Sequence, residues 1–221
     1  FIERRISGEP LQYILGEWSF MGFDFKVGRG VLIPRDDTEV VVNLCIDFLK
    51  NRADKKTVDL CSGSGAIAVA LDKISGAKVT AVEIDETAFS YLETNVKENN
   101  SSVKPVMADA LKICDTFADG GLDLIVSNPP YIKSADIETL QKEVQLEPRL
   151  ALDGGEDGCD FYREIVSRWS RKLKKGGALA FELGEGQADA VKALMTDKGF
   201  SDFKISLDFG GVQRAIIGTL L

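Results

Sequence analysis

Short apolar runs and amphipathic segments alternate along most of this chain, and their spacing predicts its architecture. The apolar runs are typical of buried strands and lie at residues 57–61, 78–83, 103–107, 122–126, 178–183, 203–207 and 213–219. Helical spacing predicts helices at residues 66–73, 86–98, 160–174 and 187–198. This order predicts an α/β fold with a doubly wound, Rossmann-like sheet of seven mostly parallel strands. Because only residues 208–212 join the last two strands, we expect those strands to form an antiparallel C-terminal hairpin.

The segment before this alternation has a different pattern. Residues 18–27 are rich in aromatic side chains and alternate in their second half, which predicts a small β-hairpin. Residues 31–35 predict a short strand ended by a proline, and residues 36–38 provide capping groups for a following helix. The polar residues 51–56 predict a domain boundary. We therefore expect a linker, hairpin and helix at 1–53 and a core domain at 54–221.

Composition and charge narrow the chemistry. The net charge of −8 argues against a broad nucleic-acid-binding surface, and no apolar run reaches the roughly 18 residues of a membrane span. The four cysteines form no C-x-x-C pair, so reduced thiols in a cytoplasmic protein are expected rather than disulfides or a zinc site. The chain has no histidine, which removes the usual general base and the commonest metal ligand. Its chemistry must therefore need little proton transfer, or depend on carboxylates and backbone groups.

The segment with the sequence SNPPY, residues 127–131, directly follows the apolar run 122–126. Since proline cannot donate to a sheet ladder, the chain must leave the sheet at Asn128. Ligands bind at the carboxyl ends of strands in open α/β sheets. Asn128, Pro129, Pro130 and Tyr131 are therefore candidate site residues, with a loop that only ends a strand as the alternative.

A turn of small residues follows the first strand of the core. Its members are Cys61, Ser62, Gly63, Ser64 and Gly65. The glycines allow a ligand to approach the backbone, and the following helix offers free N–H groups at its N-terminus. The turn lacks the Lys-Ser/Thr of a phosphate-binding loop, and a tight turn without a ligand is the alternative.

Acidic residues follow the next two strands. Glu83 lies 18 residues after Gly65, where a carboxylate can accept both hydroxyl hydrogens of a ribose. Asp109 and the adjacent Ala110 follow the third strand, where Asp109 either meets an adenine edge or caps the next helix. Together with the small-residue turn, these positions predict a nucleoside-bearing cofactor whose reactive end faces Asn128.

Over essentially all 221 residues the chain resembles the HemK/PrmC family of class I S-adenosylmethionine-dependent methyltransferases. The general motifs are the turn at 59–68, Glu83 and residues 128–131, and the narrower ones are residues 8–16, 32–39, 147–152 and 154–158. Two positions depart from the family pattern: Asp36 stands where a proline is usual, and Cys61 replaces a common glycine.

The resemblance implies a peptide chain release factor N5-glutamine methyltransferase that uses S-adenosylmethionine and releases S-adenosylhomocysteine. It implies that Cys61, Ser62, Gly63, Ser64, Gly65, Glu83, Asp109, Ala110 and Asn128 bind the cofactor. Asn128, Pro129 and Tyr131 are expected to be catalytic, and residues 128–131 to bind the substrate. In this interpretation the Asn128 amide and the Pro129 carbonyl hydrogen-bond the target carboxamide, and Tyr131 packs against it.

The same resemblance predicts a monomeric, cytoplasmic enzyme whose partner is a release factor, with no direct binding of nucleic acid, membrane or metal. Family members carry a helical N-terminal domain, which we expect to precede Phe1 in the natural protein. Residues 33–35 and the aromatic residues Phe20, Phe23 and Phe25 are expected to wall the site, with core packing as the alternative for the aromatics.

Three other functions stay open from the sequence. A related enzyme could methylate a ribosomal-protein glutamine with the same fold and site. An RNA or DNA exocyclic amine is also a planar N–H₂ group that an Asn-Pro-Pro-Tyr segment can hold, although the charge of −8 argues against it. The third alternative is a cofactor-binding protein without activity, against which the presence of both Glu83 and Asn128 argues.

Overall fold

The structure, a computed structural model, describes all 221 residues and contains one small and one large sheet. The small sheet pairs β1 (Glu17–Phe20) with β2 (Phe23–Lys26) in antiparallel orientation, as predicted. The large sheet contains β3 (Lys56–Leu60), β4 (Lys78–Glu83), β5 (Lys104–Met107), β6 (Leu122–Ser127), β7 (Leu173–Glu182), β8 (Phe200–Leu207) and β9 (Gln213–Leu220). Its order is β5-β4-β3-β6-β7-β9-β8, and only β9 runs antiparallel to the others. The predicted seven-stranded sheet and its C-terminal hairpin are confirmed.

Seven α-helices accompany the sheets. They are α1 (Ile2–Ile6), α2 (Leu11–Leu15), α3 (Thr38–Leu49), α4 (Ala66–Ser75), α5 (Glu86–Glu98), α6 (Asp160–Trp169) and α7 (Ala188–Thr196). Short 3₁₀ turns lie at Ile113–Thr116, Ile137–Thr139, Val144–Leu146, Arg149–Ala151 and Ser170–Lys172. The longest helix, α5, has 13 residues, and none of the helices combines the length and the apolar character needed to cross a bilayer.

Helices cover both faces of the large sheet, and each face has its own core. One core joins the apolar sides of α3 and α4 and Leu92 of α5 to the sheet, and the other joins α6 and α7 to the opposite face. Trp169 is fully buried in the second core, where its indole nitrogen donates to the Ala110 carbonyl over 2.9 Å. A fully buried apolar side chain contributes about 1.5–3 kcal/mol, so these cores hold the strand ends in fixed positions.

Two sequence predictions of local structure are wrong. Residues 31–35 form no strand, because side chains rather than a neighbouring strand satisfy their backbone: Tyr13 donates to the Val31 carbonyl, and Glu147 accepts from the Ile33 amide over 3.0 Å. The helix predicted at 160–174 ends at Trp169, and β7 begins at Leu173 rather than at residue 178. The Gly176-Gly177 pair therefore lies inside β7, where the Gly177 Cα hydrogens face the carbonyls of the neighbouring strand.

The segment before β3 packs closely on the core. Val41, Val42, Cys45 and Leu49 of α3 are fully buried in the same core as α4. Phe20 and Phe25 also belong to that core, with their rings edge to face and 6.2 Å apart. These two aromatic residues therefore pack in the core, as the alternative interpretation stated, and do not wall the site. The division into 1–53 and 54–221 stays a prediction about domain organisation.

Candidate active site

A cleft opens at the carboxyl ends of β3, β4 and β6. Nine of the predicted site residues line it: Cys61, Ser62, Gly63, Ser64, Glu83, Asp109, Ala110, Asn128 and Pro130. The other three, Gly65, Pro129 and Tyr131, lie beside the cleft without lining it. Most of the predicted set therefore converges on one place, which is the switch point of a doubly wound sheet.

The turn after β3 provides the floor of the cleft. Cys61 has a φ of 60°, in the left-handed region that favours glycine. Burial raises the pKa of the Cys61 thiol to about 12, so the thiol is neutral at pH 7. No side chain caps the N-terminus of α4, and its first residues, Ala66 and Ile67, line the cleft. The floor thus presents free backbone N–H groups to a ligand.

Glu83 connects this floor to the end of β4. One carboxylate oxygen accepts from the Gly63 amide over 2.8 Å. The other accepts from the amides of Ile84 and Asp85 over 2.8 and 2.9 Å. The side chain is 7% exposed and lines the cleft, and an ionised carboxylate has about four acceptor positions. Glu83 therefore keeps capacity for ligand hydroxyl groups.

Two further acids stand at the cleft. Asp109 accepts from the Leu111 amide over 2.8 Å, pairs with Lys112 and lines the cleft. The capping interpretation is wrong, because the next helical turn, Ile113–Thr116, begins after Lys112 and has no side-chain cap. Asp85 caps α5 by accepting from two amides, each over 2.9 Å. Every charged side chain in the lining is acidic, which suits a ligand that carries a cationic group and hydroxyls.

Asn128 and Pro129 stand where β6 ends. The Asn128 amide nitrogen is 3.4 Å from the hydroxyl oxygen of Thr38, the first residue of α3. The Asn128 side-chain carbonyl and the Pro129 backbone carbonyl accept no hydrogen bond within the chain. At the cleft, Asn128 thus keeps one N–H donor and one carbonyl acceptor for a planar amide or amine, and Pro129 beside the cleft keeps a second free acceptor.

Tyr131 points away from the cleft toward the end of β7. Its hydroxyl donates to the Glu182 carboxyl over 3.1 Å, and burial raises the pKa of the phenol. Glu182 is 1% exposed, and burial raises the pKa of its carboxyl to about 7. The expectation that the Tyr131 ring contacts the substrate therefore has no counterpart in the cleft lining.

The glycine-rich segment 154–158 supports the backbone of Pro130 and Tyr131. A Cβ on Gly154 would lie 2.7 Å from the Tyr131 Cα and 2.8 Å from the Pro130 carbonyl oxygen. Gln187, at the start of α7, donates to the Tyr131 carbonyl over 2.9 Å. Only glycine allows the two backbone segments to come this close, which is a physical reason for the glycines in segment 154–158.

A loop before α3 forms a wall of the cleft. Ile33 and Pro34 line it as expected, whereas Arg35 instead pairs with the buried carboxylate of Glu147. Burial raises the pKa of Glu147, and the Arg35 charge counteracts that effect. This pair ties the wall to the loop that contributes Pro148, Leu150 and Ala151.

Sequence reasoning missed several residues of the site. The apolar side chains of Ile84, Leu111 and Phe161 line the cleft, but no pattern distinguishes them from ordinary core residues. The sequence predicts Thr38 only as a capping residue for the helix, whereas Thr38 is the first residue of α3 and no side chain caps that helix. For Glu182 the sequence contains one indication, because an acid at the end of a predicted strand lies at the same edge of the sheet as the site. That position does not show which side chain Glu182 contacts.

Comparison with known proteins adds the family. Residues 35–156 match the family model described as "Methyltransferase small domain". The release factor glutamine methyltransferase of Geobacter sulfurreducens is 43% identical over 221 residues, 99% of this chain and 76% of the relative. The protein of the same name from Thermodesulfovibrio yellowstonii is 38% identical over 220 residues, 98% of this chain and 78% of the relative.

Solved structures share the fold at lower identity. A methyltransferase from Pyrococcus furiosus superposes with a TM-score of 0.68 at 23% identity, covering 99% of this chain and 97% of the other. The hMettl16 catalytic domain, in complex with MAT2A 3'UTR hairpin 6, gives a TM-score of 0.71 at 16% identity, covering 91% of this chain and 77% of the other. These likenesses establish the Rossmann-like α/β fold.

Proposed function

Because the chain belongs to the release factor glutamine methyltransferase family, we propose that it methylates the side-chain nitrogen, N5, of the glutamine in the Gly-Gly-Gln motif of a peptide chain release factor. The observation that supports this most directly is the pair of free acceptors at Asn128 and Pro129, next to one free amide donor. A primary carboxamide offers the complementary groups, two N–H donors and one carbonyl acceptor.

The proposed methyl donor is S-adenosylmethionine, and the cleft residues fit it. Glu83 retains acceptor positions for ribose hydroxyls, and Asp109 stands near the apolar residues Ile84 and Leu111, which suit an adenine ring. The three acids of the lining match the positive charge of the sulfonium and ammonium groups. When bound, this cofactor supplies an electrophilic methyl group, and the hard chemistry belongs to it.

The residues of this chain have to orient the target amide. A carboxamide nitrogen is a weak nucleophile because its lone pair is delocalised into the carbonyl. Asn128 would hold the target carbonyl through its N–H₂ group, and the Pro129 carbonyl would accept from the target nitrogen. Both prolines are buried, so the segment is rigid and little entropy is lost on binding. Positioning of this kind needs no histidine base.

The proposed partner is thus a protein, and its role in translation would place the reaction in the cytoplasm. The most direct experiment incubates the purified chain with S-adenosylmethionine and a release factor, then maps methylation by tandem mass spectrometry. The proposal expects one methyl group on the motif glutamine. A release factor with that glutamine replaced by alanine is the control and should gain none. Methylation of RNA, or of a ribosomal-protein glutamine, in preference to the release factor would contradict the proposal.

A further inference from the structure

Glu182 is a buried acid whose hydrogen bonds are incomplete. It ends β7, is 1% exposed, and uses one carboxyl oxygen to accept from the Tyr131 hydroxyl over 3.1 Å. The other oxygen, Oε2, is buried and accepts no hydrogen bond. Leaving a buried polar atom unpaired is unfavourable, because the atom has lost its hydrogen bonds to water, and such atoms are rare in folded proteins. A carboxyl in this position therefore calls for a role beyond folding.

The surroundings of Glu182 connect it to both ends of the Asn128–Tyr131 segment. Tyr131 contacts it directly. The Thr38 hydroxyl is close enough to the same carboxyl to lower its pKa, and the hydroxyl oxygen lies 3.4 Å from the Asn128 amide nitrogen. A threonine hydroxyl can accept one hydrogen bond and donate another, so Thr38 can accept from Asn128 and offer its own proton to the neighbouring Glu182 carboxyl, although the structure contains no hydrogen bond between these two side chains.

The backbone around this carboxyl is fixed independently. Tyr162 donates from its hydroxyl to the Glu182 backbone carbonyl over 2.8 Å. Arg214 donates to the Leu183 carbonyl over 3.2 Å and pairs with Asp37 over 3.4 Å. The backbone that carries this carboxyl is thus held by α6 and β9, and the two side chains beside the carboxyl, Tyr131 and Thr38, belong to the candidate site.

We propose that Glu182 is a positioning residue, whose carboxyl sets the orientation of Tyr131 directly and of Asn128 through Thr38. Its effect on catalysis rests on the proposed methyl transfer to an amide nitrogen. Glu182 would touch neither cofactor nor substrate. It would instead fix the direction in which Asn128 presents its amide, and misplacement of such a group by about 1 Å can cost roughly a hundredfold in rate.

The protonation of this carboxyl provides a readout that a purely structural residue lacks. Burial raises the pKa of Glu182 to about 7, whereas the hydroxyls of Thr38 and Tyr131 and the charge of Arg214 act in the opposite direction. Asp37, on the loop before α3, adds to the effect of burial. The ionised form accepts hydrogen bonds more strongly, so the orientation should be fixed more firmly as the pH rises through 7.

The first test compares Glu182→Gln with Glu185→Gln, a matched control at an exposed acid three residues further on. With a release factor as substrate, we expect Glu182→Gln to lower kcat roughly tenfold to a hundredfold and to flatten its pH profile near 7. The affinity for S-adenosylmethionine, measured by calorimetry, should stay within about twofold. Tyr131→Phe should lower kcat as well, and the double variant should lose little more than either single variant.

The second test does not depend on turnover. The side-chain N–H₂ resonance of Asn128, assigned by its loss in Asn128→Asp, should shift with pH near 7 in the unaltered protein and in Glu185→Gln. It should not titrate in Glu182→Gln. An unchanged kcat, or an unchanged titration of this resonance, in Glu182→Gln would overturn the inference. Failure of the unaltered protein to methylate a release factor would instead count against the proposed function, and the resonance would still decide the role of Glu182.

Discussion

The backbone amide of Gly63 donates to the carboxylate of Glu83 over 2.8 Å, which joins the turn after β3 to the end of β4. The same carboxylate accepts from the amides of Ile84 and Asp85. A single buried side chain thus fixes two of the three strand ends that surround the cleft. Loss of Glu83 should therefore affect both ligand binding and the shape of the cleft floor.

Replacing Glu83 by alanine tests this relationship. The free energy of unfolding should fall by about 1–3 kcal/mol, because amides at the strand end lose their acceptor. The affinity for S-adenosylmethionine should fall by roughly tenfold or more, which calorimetric titration can measure. Glu86→Ala, at an exposed acid on the first turn of α5, should change neither quantity appreciably. Unchanged cofactor affinity in Glu83→Ala would contradict the assignment of Glu83 to the cofactor.

A second prediction concerns the buried acid Asp59. It lies in β3 with 0% exposure, both carboxyl oxygens lack hydrogen bonds, and burial raises the pKa of Asp59 to about 8. In an unfolded chain this pKa is about 3.9, so between those values the unfolded state releases a proton that the folded state keeps. The free energy of unfolding should therefore decrease as the pH rises from about 4 to about 8.

Asp59→Asn removes this contribution and should flatten the pH dependence. Urea unfolding at pH 5 and pH 8 measures it, and the difference between the two pH values should be smaller in the variant than in the unaltered protein. Asp136→Asn, at an exposed acid, is the control and should leave the difference as it was. Equal pH dependence in Asp59→Asn and in the unaltered protein would contradict a neutral, buried Asp59.

A third prediction separates two glycines with the same backbone conformation. Gly158 (φ 77°) and Gly120 (φ 65°) both occupy the left-handed region. A Cβ on Gly158 would overlap the Tyr131 carbonyl oxygen, whereas one on Gly120 has no atom within 4 Å. Gly158→Ala should displace Tyr131, lower the free energy of unfolding by about 1–3 kcal/mol more than Gly120→Ala does, and reduce methyl transfer.

The comparison between these variants isolates the contact from the conformational cost. Both alanines are strained by a left-handed φ, and only the alanine at position 158 also disturbs the Asn128–Tyr131 segment. Circular dichroism melts and a methylation assay on the same preparations provide the measurements. If Gly120→Ala lost as much activity as Gly158→Ala, the support that segment 154–158 gives to Tyr131 would not matter for the reaction.

Most of the sheet could be predicted because buried strands and amphipathic helices leave periodic patterns in sequence. The predicted bounds of β4 and α5 are those of the structure. The errors occur where side chains replace regular backbone pairing. At Ile33 a glutamate 114 positions away accepts the backbone hydrogen bond, and no local pattern contains that information. The Gly176-Gly177 pair follows the helix predicted at 160–174, where glycine commonly ends a helix, but it lies inside β7.

In the candidate site, too, some features could be predicted from the sequence and others could not. The family motifs located Asn128, Glu83 and the small-residue turn, because chemistry that requires an amide, an acid and a close backbone approach restricts residue types. The roles of Tyr131 and Glu182 depend on which way a side chain points after the strand ends. That direction is set by packing between distant segments, so only the structure provides it.

The central claim is that Asn128 holds the target amide, and that its expected contact with the cofactor contributes little to cofactor affinity. Asn128→Ala should lower the single-turnover rate of methyl transfer to a release factor by at least about a hundredfold, because the target nitrogen is no longer oriented. Calorimetric affinity for S-adenosylmethionine in the same variant should stay within about threefold of the unaltered protein, because the turn and Glu83 are intact. A near-normal transfer rate with Asn128→Ala, measured by mass spectrometry of the motif glutamine, would contradict the account.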